Sequence, residues 1–170
     1  MMITIISIVI LIFSAVVHEV AHGWMAKRLG DDTADQAGRL TLNPLKHLDP
    51  VGSVVLPIIL VLTNANFFVA WAKPVPYNPY NLRDRKFGEL KVALAGPVSN
   101  LIIALIFAVF IRVVVSFEGT NLLMVQGDTS SLLVNLAIVA LYIIKINLFL
   151  AIFNLIPIPP LDGSKILYAF

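Results

Sequence analysis

Three stretches of this chain are too long and too apolar to stay in water. Residues 3–27, 92–117 and 132–156 each match or exceed the ~20 residues that cross a bilayer as helix. In lipid their backbone groups need partners within the segment, so each is expected to be helical and packed on the others. Composition agrees: hydrophobic residues make up 59% and charged residues 13%, where a soluble domain carries ~25% charged. Mean hydropathy is +0.92. The reading is an all-α integral membrane protein with three transmembrane helices, formed as one domain over residues 1–170, a length that suits one core and not two. A formal charge of +2 and the lack of cysteine remove nucleic acid as an expected partner and exclude disulfides and thiolate metal ligands. No basic leader or small-residue cleavage site precedes the first span, which is expected to remain in the membrane.

Inside that span stands His18-Glu19-Val20-Ala21-His22. Residues four apart share a helix face, so His18 and His22 can hold one metal ion from the same side, with Ser14 on the same stripe. Glu19 lies one position round, placed to reach a water on the metal rather than to bind it. This is the H-E-x-x-H pattern of metal hydrolases, with Glu as general base. Zinc (Zn2+, one per chain) suits imidazole ligands and leaves a position for water. Ionisable groups are costly in lipid, so the stripe should face protein. His18 precedes Lys27, which marks the water boundary, by about 13 Å of helix, placing the metal below the membrane surface.

The segment from Gly30 to Pro50 is polar. Gly38–Pro44 alternates weakly and reads equally as a short edge strand or as plain loop; His47 reads as an interfacial histidine. Lys27, Arg28, Arg39 and Lys46 lie in or flank this loop, and Lys73, Arg83, Arg85, Lys86 and Lys91 follow Val51–Trp71. The loop 117–131 has no Lys or Arg. The positive-inside rule places both basic loops in the cytoplasm, so 51–71 is read as a re-entrant segment that returns without crossing. Trp71–Pro79 carries three prolines and is expected as an extended strap or hairpin.

In the second span Gly96, Asn100, Ala104 and Ala108 recur every four residues, a stripe that admits a close helix, with Asn100 able to bond across it. Gly96 and Asn100 are therefore read as structural. Pro97 should loosen the first turn, and Arg112 should snorkel to the outer surface. In the third span Asn147, Ala151 and Asn154 share a face, and Lys145 is a cation within apolar surroundings. Asn154–Gly163 contains three prolines, which end the helix, and Gly163 eases a turn. Asp162 is then offered from unwound backbone on the metal's side of the membrane, as a third ligand or as the N-cap of a helix over 163–170.

Together these motifs resemble the site-2 proteases, intramembrane zinc metalloproteases. The carriers are His18-Glu19-Val20-Ala21-His22, Gly96-Pro97-Val98-Ser99-Asn100, and Asn154-Leu155-Ile156-Pro157 with Pro160-Leu161-Asp162-Gly163. The strap is similar to that of a small bacterial subgroup without a PDZ domain. The resemblance implies zinc on His18, His22 and Asp162, Glu19 as base, and Asn154 steadying the reacting backbone. It implies cleavage of transmembrane proteins or peptides from the cytoplasmic side of a cell membrane. An extended substrate would be received along Gly38–Pro44 or the strap, lined by Leu40, Leu42, Lys73 and Val75. Family members usually continue past Asp-Gly into another helix, so a chain ending at Phe170 is read as minimal or shortened. Nothing in the sequence specifies an oligomer. Two other classes fit the pattern less well: a catalytically silent module that binds partner helices, and a metal or proton transporter.

Because the chain has no cysteine, Asn78→Cys gives a single reactive site. A membrane-impermeant maleimide is expected to label it from the cytoplasmic face. Labelling only from the outer face would make 51–71 a full crossing.

Overall fold

The computed structural model describes residues 2–55, 59–60, 62–63, 73–118 and 132–167. Three long helices, all rich in Ile, Leu, Val and Ala, carry the architecture: α1 (Met2–Arg28), α3 (Gly88–Glu118) and α4 (Leu132–Asn154). Each is long and apolar enough to cross a membrane. Two shorter helices are α2 (Thr33–Gln36) and α5 (Asp162–Leu167). The long helices pack pairwise, and α5 docks on α3.

Small and polar side chains fill the contacts between helices. Ala104, Ala137, Ala140 and Ala151 are buried, as are Ser14, Asn100 and Asn147. Large side chains point outward: Ile5, Phe13, Leu105, Ile106 and Ile152 are all exposed. Lipid solvates such an exterior, so close backbone approach and side-chain hydrogen bonds must hold the helices together. The small-residue stripe of α3 is buried at Gly96, Asn100 and Ala104, but Ala108 is exposed. The stripe thus ends one turn sooner than its period suggests.

Boundaries differ from expectation for local reasons. Helix α3 begins at Gly88. Asp84 accepts the N–H groups of Lys86 and Phe87 at 3.2 and 2.9 Å, and its carbonyl accepts from Gly88 at 2.9 Å. This lead-in starts the helix early, and Pro97 falls well inside it rather than in its first turn. Helix α4 stops at Asn154 rather than 156. Pro157 lacks an N–H and disfavours helical backbone before it, and the last turns tighten, with Ile156 N–H on the Phe153 carbonyl at 3.2 Å.

Of the two readings of Gly38–Pro44 the structure shows the loop: the segment is irregular, and no β-sheet occurs among the described residues. Local bonds take the groups a ladder would need. Thr41 Oγ1 accepts from Asn43 N–H at 3.2 Å, the Thr41 carbonyl lies 2.8 Å from His47 Nε2, and Asn43 Oδ1 accepts from Leu45 N–H at 3.1 Å, opening a 3-10 turn at Pro44–His47. His47 is buried. Most of segment 51–71, read from the sequence as re-entrant, the start of the strap at 71–72 and the loop at 119–131 lie outside the described residues. The described part of the first opens as a π-helical turn, Pro50–Val55.

Asp31 ties the end of α1 to the strap. It is fully buried and accepts from Thr33 Oγ1 at 2.6 Å, Asn78 N–H at 2.7 Å and Asn81 Nδ2 at 2.8 Å. Burial pushes its carboxyl up, but these hydrogen bonds outweigh burial and hold it below the ordinary carboxylate value. A depressed folded-state pKa contributes stability above the unfolded value of ~3.9 and loses it as pH falls through the folded one. Asp31→Ala is therefore expected to cost about 2–4 kcal/mol at neutral pH, because several buried donors lose a charged acceptor. Thermal unfolding in detergent should show that deficit shrinking below about pH 4. A deficit that does not change with pH would show that the carboxylate charge is not what holds the strap.

Candidate metal centre

His18 and His22 lie one turn apart on α1 and are 5% and 8% exposed. Their rings stand nearly perpendicular, at 82°, with centroids 4.7 Å apart. Both Nε2 atoms face one oxygen: Asp162 Oδ2 is 3.0 Å from His18 Nε2 and 3.1 Å from His22 Nε2. The three donor atoms lie within 4.8 Å of one another. The two ends of the chain meet here because Pro157–Pro160 turns it back after α4 and α5 begins at Asp162. Gly163 makes that return possible: a Cβ there would overlap the carbonyl oxygens of Leu155 and Ile156. Its contribution is space rather than an unusual turn conformation.

The far side of each imidazole settles what the near side can do. His22 Nδ1 is 2.7 Å from the Val92 carbonyl, which only accepts, so Nδ1 carries a proton. His18 Nδ1 is 2.5 Å from Asn100 Oδ1 and donates likewise. In a neutral ring each Nε2 then offers a lone pair toward a carboxylate oxygen. Three acceptors around one point call for positive charge among them. Protons on both Nε2 atoms would supply two units, and a divalent metal replaces them. Burial pushes the Asp162 carboxyl up, but with those protons in place hydrogen bonds and charge from His18 and His22 outweigh it and hold the carboxyl below its ordinary range. An ionised carboxylate and two neutral imidazoles are the state that metal ligation requires. The donor set, two nitrogens and one oxygen, fits zinc with a position left open.

Gly96 gives the imidazoles their room. A Cβ on Gly96 would overlap Nε2 of both His18 and His22. The small-residue period on α3 reads as helix packing alone, but here it is also the wall of the site. Glu19 is half-buried beside the histidines, and its Oε2 accepts the Val75 N–H at 2.8 Å. Val75 is buried, and with Leu40 it crowds Gly23, where a Cβ would come 2.7 Å from Leu40 Cδ2 and Val75 Cγ1. Both expected substrate segments therefore reach the Glu19 face of α1 through Leu40 and Val75. Leu42 and Lys73 are exposed, and Lys73 donates its backbone N–H to the His47 carbonyl at 2.8 Å. The strap also reaches α5, where Lys165 Nζ lies 5.2 Å from the Tyr77 ring centre.

Asn154 is half-buried, and its Nδ2 donates to the Leu150 carbonyl on its own helix at 2.9 Å. Lys145 is exposed on α4. Sequence reasoning missed the Val75 N–H and the Val92 carbonyl, which are backbone groups and leave no mark in residue identity. Asn147 shares a helix face with Asn154 by spacing, but its partners were not legible: it bonds to Asn100, which contacts His18.

The chain matches Peptidase family M50 over residues 6–170. Three relatives bear the name "Putative zinc metalloprotease". YwhC of Bacillus subtilis is 41% identical over 160 residues, covering 94% of this chain and 66% of that protein. Rip2 of Mycolicibacterium smegmatis is 30% identical over 152 residues, 89% of this chain and 52% of that protein. MJ0611 of Methanocaldococcus jannaschii is 34% identical over 114 residues, 67% of this chain and 50% of that protein. The chain thus spans between half and two thirds of the length of these relatives. No solved structure matches it.

Gly96→Ala is expected to displace the imidazoles and weaken zinc binding at least ~10-fold, with helix content by circular dichroism unchanged. Unaltered affinity would mean that the two rings do not rest against Gly96.

Proposed function

The chain belongs to Peptidase family M50, and from that premise we propose that it is a zinc-dependent endopeptidase that cuts membrane proteins in or near their transmembrane segments. The observation that carries this reading is the convergence of His18, His22 and Asp162 among three membrane-length helices. The chain is a multi-pass membrane protein, and the basic loops support an active site toward the cytoplasm.

When bound, zinc supplies Lewis acidity toward water and toward a scissile carbonyl. The residues do the rest. Glu19 takes a proton from the attacking water at its carboxylate and returns it to the leaving amine. With Oε2 accepting from Val75, Oε1 is the oxygen free for this transfer. Asn154 would donate to the developing oxyanion by exchanging its bond to Leu150 for one to the substrate. A substrate helix hides its carbonyls in its own hydrogen bonds and must unwind to be cut. The strap and the Gly38–Pro44 loop are where an extended segment would lie, through Leu40, Leu42, Lys73 and Val75.

Glu19→Gln tests the reading with a reporter transmembrane substrate in liposomes. The variant should retain about one zinc per chain and lose turnover by ~10²–10⁴-fold. Substantial cleavage by the variant would remove Glu19 as base. No cleavage by the zinc-loaded wild type would favour a silent membrane module.

A further inference from the structure

Asn147 lies away from the metal ligands and is fully buried, as is Asn100. Its amide joins three helices. Asn147 Nδ2 donates to the Ile143 carbonyl on α4 and to Ser14 Oγ on α1, each at 2.9 Å. Its Oδ1 accepts from Asn100 Nδ2 on α3 at 2.8 Å. Asn100 Oδ1 in turn faces His18 Nδ1 at 2.5 Å.

The direction of this chain is set at one end. The Ile143 carbonyl can only accept, so the Asn147 group facing it must be its NH₂. That turns the Asn147 oxygen toward Asn100 and forces Asn100 to present its own NH₂. The oxygen of Asn100 is then left for His18. A carbonyl oxygen at Nδ1 requires the proton there, and Nε2 is freed as a metal ligand. Were either amide reversed, like would face like: NH₂ against NH₂, or NH₂ against an imidazole N–H. In a buried apolar setting such a mismatch has no water to relieve it. His22 has a backbone carbonyl, from Val92, as its fixed acceptor. For His18 the fixed carbonyl stands two side chains away.

We infer that Asn147 is a positioning residue that sets the tautomer of His18 through Asn100, transmitting the polarity of the Ile143 carbonyl to the metal ligand. The inference rests on the metal reading above, and it adds a residue outside the H-E-x-x-H, G-x-x-x-N and Asp-Gly motifs. Its role is separable from packing because an aspartate at 147 would keep it. Ionised, Asp offers Asn100 an acceptor. Protonated, it also donates to Ile143. Leucine offers neither.

The test measures zinc affinity by chelator competition in detergent for Asn147→Leu, Asn147→Asp, Asn100→Leu and the double variant Asn100→Leu/Asn147→Leu. Asn147→Leu should weaken binding ~10- to 100-fold, the range seen when a metal ligand loses an outer partner. Asn147→Asp should stay near wild type. The double variant should bind no more weakly than Asn100→Leu alone, because Asn147 acts only through Asn100. Additive losses, or Asn147→Asp weaker than Asn147→Leu, would overturn the relay in favour of simple packing.

A second readout needs no zinc. In zinc-free ¹⁵N-histidine-labelled Asp162→Ala, which removes the carboxylate that draws a proton to Nε2, His18 should be the Nδ1–H tautomer at a pH where the rings are neutral. An Nε2–H tautomer there would overturn the inference even if every leucine variant failed to fold. Wild type that binds no zinc, with Nδ1–H in this variant, would sink the metal reading and leave the relay standing.

Discussion

One carboxylate oxygen held about 3 Å from two imidazole nitrogens, among helices that lipid surrounds, is the contact the rest of the structure serves. Taken singly, each of these groups would be costly at that depth. They persist because every far side is satisfied: His22 by a backbone carbonyl, His18 by Asn100, and Asn100 by Asn147. The near sides call for positive charge among them, which a divalent metal would supply. This explains why polar residues cluster on the inward faces of all three long helices, although those helices are otherwise almost wholly apolar.

Helix packing follows from the same demand. Two imidazoles and a carboxylate need volume between helices that must also approach closely. Gly96 reconciles these, since its missing side chain is where the imidazole edges lie. Gly163 does the same at the other end, letting the start of α5 sit on the carbonyls of the turn that follows α4. Alanines at 104, 137, 140 and 151 then close the remaining contacts. In lipid, where burying apolar surface between helices brings little gain, this close fit and the asparagine bonds supply the association.

Much of this was legible in the sequence, because membrane length, helical period and proline punctuation are local signals. His18 and His22 share a face by spacing alone, and Pro157 ends α4 by geometry alone. Asp162 was legible as a carboxylate offered after the proline break on the metal's side of the membrane, as a third ligand or an N-cap, and the family resemblance implied the ligand. The open and misplaced readings came where side chains compete with regular backbone. The bonds of Asn43 and Thr41 decided between strand and loop at Gly38–Pro44, which the sequence left open, and Asp84 extended α3 backward by more than a turn. Asn147 showed as a polar residue on a buried face. What it bonds to depends on how three helices meet, which no period in one segment encodes.

The strap raises a question about what an extended substrate would find. Between Lys73 and Asn78, Pro74 and Pro76 have no N–H, leaving four donors. Three are engaged: Lys73 with His47, Val75 with Glu19, and Asn78 with Asp31. Only the Tyr77 N–H remains for other use, whereas carbonyls along the segment are more plentiful. A strand adding here would therefore donate more than it accepts, unlike one pairing with an ordinary sheet edge. The same prolines discourage two such segments from pairing with each other, since neither brings enough donors. In the proposed reaction this has a consequence for the base. The Val75 bond both anchors the strap and orients Glu19, so a peptide that shifts the strap shifts the carboxylate with it.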